Sequence, residues 1–244
     1  MQKITFQDLG KIRYKTAWDY QTQIFDKIVA NKVSNRDLPE DQHLHPEHHL
    51  LFCEHLPVFT LGRSGKMNHL LMSKDFLEEN GIEFYENNRG GDITFHGPEQ
   101  IVGYPILDLD YFFTDIHKYM RLLEEMVIRT MAEYGLEATR SKGETGVWLD
   151  IDKPGMARKI CAMGVKCSRW VTMHGFAFNI NTDLNYFNYI VPCGIQDKGV
   201  TSLEKELGRK IDTDEVKLKL KKHFQELFSA ELIEKVPKLI HHEK

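Results

Sequence analysis

The chain has 244 residues and a formal net charge of −4. Hydrophobic residues make up 41% and charged residues 28%, which is typical of a folded globular protein, and the length suits a single domain. The acidic balance argues against a large phosphate-binding surface, so we expect no nucleic-acid partner.

Targeting signals are not evident in the sequence. The N-terminal residues lack the apolar run of a signal peptide, and no stretch approaches the roughly 20 apolar residues that cross a bilayer. We therefore predict a cytoplasmic protein without a membrane partner. Cys53, Cys161, Cys167 and Cys193 form no C-x-x-C pair, and in a reducing compartment each is predicted to be a free thiol.

Hydrophobic periodicity predicts the elements of the first half of the chain. A strand at 3–9, a helix at 16–30 and a polar surface loop at 32–49 come first, and 50–62 then reads as one buried strand that is irregular near Pro57 and Gly62. Ser73 is predicted to cap a short helix that ends before Gly81, and a strand follows at 81–87. Residues 93–95 and 101–109 predict a hairpin or a tight strand-loop-strand unit.

The second half begins with the clearest helix of the sequence, capped by Thr114 and extending to about Tyr134. Strands are predicted at 146–151, 158–170 and 174–182, a small helix after Asp183, a loop at 191–195 and an amphipathic helix at 214–230. The pattern predicts one α/β (α+β) domain over residues 1–244, with a mixed β-sheet core flanked by helices.

Cys193 lies between Pro192 and Gly194, residues that suit an exposed turn better than a packed strand. Backbone N–H groups after such a cysteine can hold the oxyanion of a thioester's tetrahedral intermediate. Taken alone, the same pattern also fits a buried, inert thiol.

A thiol nucleophile needs a nearby cation or base, because a free cysteine has a pKa near 8.5. Lys159 stands in an apolar, strand-like run and would be costly to bury without a purpose. A solvent-facing lysine on an edge strand is an equally good interpretation. Lys166 is the rival lysine of the same run.

Glycines at 90 and 91 permit a tight turn and a close approach of a ligand to the main chain. The surrounding segment 89–98 matches neither the G-x-G-x-x-G fingerprint nor a phosphate-binding loop. It therefore predicts either a small-molecule pocket or a glycine-rich hairpin with incidental polar residues. Segment 174–180, in which small residues adjoin aromatics, suits either an alkyl slot or a core strand.

Histidines at 43, 45, 48 and 49 lie close to Cys53 and His55. Their spacing matches no established zinc pattern, so we predict a solvated loop and no metal.

Four segments together carry a family resemblance: LPVFTLGR at 56–63, RGGDITFHGPEQIVGYPILDL at 89–109, ARKICAMGVKCSRWVTMHGFAFNI at 157–180 and VPCGIQDKGVTSLEKELGR at 191–209. They strongly resemble the LipB-type octanoyltransferases, the octanoyl-acyl-carrier-protein:protein N-octanoyltransferases. The resemblance extends from about Lys3 to Gly208. It implies a fold similar to the catalytic domains of biotin and lipoate protein ligases.

The resemblance also implies a reaction and its partners. Octanoyl-acyl carrier protein would donate the chain to Cys193, activated by Lys159, and a lysine of an apo lipoyl domain would accept it. The acceptors would be the lipoyl domains of 2-oxoacid dehydrogenases and the glycine cleavage H protein, with no cofactor required. The implied acyl pocket comprises Arg89, Gly90, Gly91, Asp92, Ile93, Thr94, Phe95, His96, Ala162, Met163, Gly164, Gly175, Phe176 and Ala177.

Two departures from the family pattern stand out. Glu99 replaces the glycine of the usual HGPGQ, and Cys161 stands where a small residue is common. Three alternatives stay open: an ATP-dependent lipoate or biotin protein ligase, a cysteine thioesterase or peptidase that pairs Cys193 with His96 or His174, and a non-catalytic acyl-carrier-binding protein. The P-C-G-I motif favours transfer over ligation.

Overall fold

The computed structural model describes residues 1–191 and 198–237. Its elements in chain order are β1 (Gln2–Ile12), α1 (Tyr14–Ser34), β2 (His48–His55), β3 (Val58–Leu61), α2 (Lys74–Glu79), β4 (Glu83–Glu86), β5 (Ile93–His96), β6 (Gln100–Ile106), α3 (Ile116–Ala132), β7 (Val147–Leu149), β8 (Arg158–Ser168), β9 (Val171–Asn179), β10 (Gly199–Val200), α4 (Leu203–Leu207), α5 (Thr213–Phe228) and β11 (Ala230–Glu234). Short 3₁₀ helices cover 35–37, 40–42, 67–69, 109–111 and 184–189.

The larger sheet is mixed, as the sequence predicts. Its strand order is β10-β8-β9-β6-β2-β1-β11, with β7 paired to β8. Pairing is parallel between β1 and β2, β1 and β11, and β8 and β10, and it is antiparallel across β2, β6, β9 and β8. Side chains alternate between the two faces of each strand, and both faces of this sheet are covered.

Helices α3 and α5 pack on one face of the larger sheet. Their apolar stripes, which include Leu123, Val127, Leu220 and Phe224, share a core cluster with residues from seven strands of the sheet. Helix α1 covers the opposite face with Ala17, Phe25 and Ile28, against β2, β6 and β9.

A smaller sheet of order β4-β3-β5 contacts the start of helix α1, where the Tyr14 ring stacks on Tyr85 of β4 with centroids 5.5 Å apart. It has its own apolar cluster, to which Phe59, Phe95 and Leu77 contribute. The predicted strand at 50–62 is therefore wrong in one respect: β2 lies in the larger sheet and β3 in the smaller one. Pro57, which has no N–H to donate to a ladder, falls at the break between them.

The segment 93–109 is a strand-loop-strand unit and not a hairpin. Strand β5 pairs with β3, whereas β6 pairs with β2 and β9, so the loop at 97–99 carries the chain from one sheet to the other. Glu99 lies in this loop in the left-handed region, with a φ of 59°. That conformation favours glycine, the residue which the family usually has there.

Of the two predicted helix caps, one is confirmed and the other is displaced by one residue. Ser73 accepts a hydrogen bond from the backbone of Phe76, as predicted, and Asp183 caps the 3₁₀ helix at 184–189. The N-cap of α3 is Asp115 and not Thr114, because its carboxylate accepts from the Lys118 N–H. Strands β10 and β11 and helix α4 were not predicted.

The histidine-rich loop is shorter than its composition suggests. His48 and His49 begin β2 and are 3% and 9% exposed, so the prediction of a solvated loop is wrong for these two. His43 and His45 precede the strand. Within residues 1–191 and 198–237, no group of three or more His, Cys, Asp or Glu side chains is arranged to hold a metal ion. No helix in the same ranges is long and apolar enough to span a bilayer.

Candidate active site

A cavity of about 990 Å³, its open mouth included, lies between the two sheets. Its floor comes from the larger sheet and its roof from segment 89–96, so neither sheet forms it alone.

The floor consists of small residues in register on adjacent strands. Ala162 on β8 faces Ala177 on β9, and Gly164 faces Gly175 two residues further on. A Cβ atom at Gly175 would lie 2.2 Å from the carbonyl oxygen of Gly103 on β6, so only glycine fits there. The result is a shallow channel along the sheet, bordered by taller side chains.

The roof approaches this floor closely. A Cβ atom at Gly164 would lie 2.8 Å from the carbonyl oxygen of Gly90. Arg89 is 8% exposed. Its Nη2 atom donates hydrogen bonds to the backbone carbonyl oxygen (2.7 Å) and to the hydroxyl oxygen (2.9 Å) of Thr60 on β3. These hydrogen bonds connect the turn at Gly90 and Gly91 to the smaller sheet.

Most of the predicted pocket residues line the cavity, namely Arg89, Gly91, Asp92, Ile93, Thr94, His96, Ala162, Met163, Gly164, Gly175, Phe176 and Ala177. Gly90 and Phe95 are not among its lining residues. The Gly90 N–H donates to the carbonyl oxygen of Val165 at 2.9 Å, and the Phe95 ring stacks on Tyr186 with centroids 4.4 Å apart. Phe95 thus belongs to the core of the smaller sheet.

The two candidate lysines of β8 have different surroundings. Lys159 lines the cavity, and its Nζ atom lies 4.5 Å from the ring centroid of Trp148 on β7. Lys166 is not a lining residue; its Nζ atom lies 4.3 Å from the Phe25 ring of α1, and burial lowers its pKa. The cavity therefore distinguishes Lys159 from its rival.

Lys198 is a second lysine of the cavity that the sequence analysis missed. Its Nζ atom lies 5.0 Å from the same Trp148 centroid and 2.6 Å from Oε2 of Glu144. Burial disfavours the Glu144 carboxylate, but hydrogen bonds from Lys198 and Ser141 outweigh it and lower the pKa of Glu144. No hydrophobic periodicity marks Lys198 as a residue of the cavity; it follows the P-C-G-I motif in the sequence.

Cys193 lies outside the described residues. The nearest described residues on either side are Val191, whose N–H donates to the carbonyl oxygen of His69 at 2.8 Å, and Lys198, which lines the cavity. His69 in turn contacts Asp92 of the cavity wall, with 2.6 Å between Nδ1 and Oδ2.

The other cysteines have distinct environments. Cys53 and Cys161 are fully buried, and burial raises the pKa of both thiols, so neither forms a thiolate near neutral pH. We therefore expect Cys161 not to compete for thiol reagents in the folded protein. Cys167 is exposed.

Several aromatic and polar residues of the cavity were also missed. Tyr14 of α1 and Tyr104 of β6 line it, as do Gln100, Asn179 and Trp148. Tyr104 shares its strand face with Val102, so alternation alone was a usable signal. Tyr14 reaches the cavity only through the packing of α1 on the sheet.

His174 lines the cavity in a strained backbone conformation, with a φ of 59° inside β9. Its Nε2 atom lies 3.0 Å from Oδ1 of Asn88, and its backbone N–H donates to Oε1 of Gln21 at 3.1 Å. Burial lowers the pKa of His174 to about 3, so the ring is neutral at pH 7.

A mixed sheet that supports a small-residue channel, with a lysine on the channel wall, is suited to hold a small apolar group beside an ionisable side chain. The model of the family "Lipoyl protein ligase A/B catalytic domain" matches residues 13–225, and the chain belongs to this family.

Curated relatives narrow the class. The chain is 60% identical over 95% of its length to an octanoyltransferase of Flavobacterium johnsoniae, covering 99% of that protein. It is 55% identical to an octanoyltransferase of Cytophaga hutchinsonii, covering 95% of both chains. The chain is accordingly an acyltransferase of the octanoyltransferase type, which confirms the resemblance read from its motifs.

Solved structures agree in fold. A bi-partite lipoate protein ligase from Thermoplasma acidophilum has a TM-score of 0.70 at 15% identity, covering 98% of this chain and 88% of that one. A lipoate-protein ligase A bound with ATP has a TM-score of 0.69 at 17% identity, covering 98% and 90%. At these identities the likeness concerns the fold alone.

Proposed function

We propose that this enzyme transfers an octanoyl group from octanoyl-acyl carrier protein, through a thioester on Cys193, to a lysine of an apo lipoyl domain. The proposed acceptors are the lipoyl domains of 2-oxoacid dehydrogenases and the glycine cleavage H protein. The observation that carries the proposal is the position of Lys159, whose side chain lines a cavity floored by alanine and glycine. The names of the close relatives support octanoyl transfer.

In the first half-reaction, Lys159 favours the Cys193 thiolate by its charge or by accepting the proton. The sulfur attacks the carbonyl carbon of the donor thioester, and a new C–S bond forms. The bond to the pantetheine sulfur breaks, and the released thiolate takes up a proton. One thioester replaces another.

In the second half-reaction, the acceptor lysine must lose a proton before it can attack. Lys159, in its neutral form, is the proposed base. The amine nitrogen bonds to the carbonyl carbon, the C–S bond to Cys193 breaks, and the thiol is restored. The acyl chain ends in an amide, and the cycle consumes neither ATP nor a metal-bound water.

The neighbourhood of Cys193 supports its proposed role. Lys198, five positions after it in the sequence, lines the cavity. Val191, two positions before it, is hydrogen-bonded to His69 beside Asp92. Because both sheets contribute to the cavity, we propose that residues 1–244 act as one catalytic domain.

Intact-protein mass spectrometry tests the proposal. The enzyme is mixed with octanoyl-acyl carrier protein, and an apo lipoyl domain is added afterwards. We expect one octanoyl adduct, mapped to Cys193, that disappears as the lipoyl domain gains the same mass. Cys193→Ser should form no thioester adduct, with Cys167→Ser as the matched control that retains it. Transfer at the wild-type rate by Cys193→Ser would refute the covalent route.

The two rival enzymes predict different products. A ligase would catalyse ATP–pyrophosphate exchange, and a thioesterase would release free octanoate without any lipoyl domain. Burial holds the pKa values of His96 and His174 far below 7, which makes both poor bases for a Cys–His pair. This favours the transferase over the thioesterase.

A further inference from the structure

A fully buried carboxylate on helix α3 takes no part in the reaction described above. Glu124 is 0% exposed and is not among the residues that line the cavity. Its Oε2 atom accepts hydrogen bonds from Arg121 at 2.6 Å and from Arg140 at 3.1 Å. Its Oε1 atom accepts a hydrogen bond from the backbone N–H of Gly146 at 3.0 Å. Glu124 therefore connects the helix to the segment that leads into strand β7.

Stability alone is a poor reason for a carboxylate at this position. Replacing a buried ion pair by apolar residues of similar volume is often neutral or stabilising. The side chains of Arg121 and Arg140 are 47% and 34% exposed, so water can solvate both of them without Glu124. An apolar residue would not replace the acceptor for the N–H of Gly146, which is buried. The contact with Gly146 is therefore the one that requires an oxygen atom here.

Gly146 packs directly against the lysine that is proposed to activate Cys193. A Cβ atom built at Gly146 would lie 2.5 Å from the carbonyl oxygen of Cys161 and 3.5 Å from Cδ of Lys159. The φ of Gly146 is 107°, a conformation that favours glycine. The main chain at this position thus lies against the stem of Lys159, with no side chain between them.

The residues that flank Gly146 belong to the cavity. Thr145 and Trp148 both line it. Trp148 pairs with Lys159 in the ladder between β7 and β8, and its ring centroid lies 4.5 Å from the lysine Nζ atom. The ladder has a register shift just before Trp148, so regular strand pairing does not by itself place Gly146. The hydrogen bond to Glu124 holds it.

We propose that Glu124 is a positioning residue for Lys159. Through the N–H of Gly146 it holds the main chain against which the Lys159 stem lies, and with it the segment that carries the Trp148 ring. The inference rests on the proposed function, in which Lys159 activates Cys193. Displacing a catalytic group by about 1 Å can cost ~100-fold in rate, so a residue behind the site can control its activity.

Single-turnover acylation by octanoyl-acyl carrier protein, at varied donor concentration and per folded molecule, tests the inference. Glu124→Leu keeps a side chain of similar volume and removes the acceptor. Its maximal acylation rate should fall at least ~10-fold, because Lys159 is displaced. The donor concentration at half-saturation should stay at the wild-type value, because Glu124 does not line the cavity. A loss confined to half-saturation would overturn the inference.

Glu125→Leu is the matched control. Glu125 is the next residue on α3 and pairs with the same Arg140 at 2.6 Å, whereas the N–H of Gly146 donates to Glu124. Its acylation rate should match that of the wild type. An equal fall in the Glu124 and Glu125 variants would trace the effect to the arginine and not to Gly146, and would overturn the inference.

A double-mutant cycle shows whether the effect passes through Lys159. In a Lys159→Ala background there is no ammonium group to position, so Glu124→Leu should cause little further loss of rate. Equal fold losses in the two backgrounds would make Glu124 a structural residue only. Glu124→Asp provides a second cycle if the leucine variant does not fold. It keeps a carboxylate for the arginines but is one methylene shorter, and it should show the same coupling to Lys159.

The outcomes are distinguishable from those of the proposed function. A wild-type acylation rate in folded Glu124→Leu would overturn the inference and leave the thioester on Cys193 intact. If the wild type formed no adduct on Cys193, the proposed function itself would fail.

Discussion

Lys159 and Trp148 are in direct contact, with 4.5 Å between the lysine Nζ atom and the indole centroid. Trp148 is 2% exposed and is also contacted by Lys198 at 5.0 Å, so one buried ring positions two ammonium groups at the cavity. A cation–π contact of this kind is worth ~0.5–2 kcal/mol. That is enough to favour one orientation of the side chain at the cavity.

Lys159→Ala should slow acylation of the enzyme at least ~100-fold, because general acid–base groups contribute on that order or more. Single-turnover mass spectrometry with octanoyl-acyl carrier protein measures this rate. Lys166→Ala is a closely matched control, since it removes a lysine of the same strand that also lies over an aromatic ring. Equal losses in the two variants would contradict the assignment of Lys159.

Glu99→Gly should stabilise the protein by up to ~1 kcal/mol, because glycine adopts a φ of 59° without steric strain. The variant also loses the exposed ion pair with Lys210 (3.0 Å), which contributes little. Urea unfolding measures the free energy. Glu99→Gln keeps the backbone strain and removes the charge, so its free energy of unfolding should not rise. A rise in that variant would show that the stabilisation comes from loss of the charge and not from backbone conformation.

Thiol labelling should follow burial. Cys167 is exposed and should react with iodoacetamide in the native protein, whereas Cys53 and Cys161 should react only after unfolding. Peptide mass mapping identifies each site. In a Cys167→Ser background, pre-incubation with octanoyl-acyl carrier protein should protect Cys193 and no other thiol. Rapid native labelling of Cys161 would contradict the packing of β8.

Acid should destabilise the protein through its buried histidines. Burial lowers the pKa values of His48, His49 and His55 to about 4, below their unfolded value near 6.5. The unfolded chain therefore binds more protons between these values, so stability is full above pH 6.5 and is lost as pH falls towards 4. The free energy of unfolding, measured by urea titration at each pH, should fall accordingly.

A His49 variant isolates the contribution of this one histidine to the loss of stability in acid. His49→Gln should reduce the loss of stability between pH 6.5 and pH 4 by roughly 3 kcal/mol. His117, which is exposed on α3, provides the control, and His117→Gln should leave the slope unchanged. Identical slopes for both variants would contradict the neutral, buried state of His49.

Sequence patterns were sufficient where the signal is local. The long helices α1, α3 and α5 and the strands β8 and β9 follow from periodicity, and the Ser73 cap follows from capping chemistry. The motifs identified the family, and 12 of the 14 predicted pocket residues line the cavity. The roles of Cys193 and Lys159 remain predictions.

Long-range contacts decided the rest. Whether 50–62 forms one strand or two depended on which sheet each half joins, and a short apolar run has no information about its partner. Tyr14 lines the cavity only because α1 packs across the sheet, and Lys198 contacts Trp148 only because β10 pairs with β8. Periodicity records which face of an element is apolar, but which side chains meet across a cavity is fixed by the packing of elements distant in sequence.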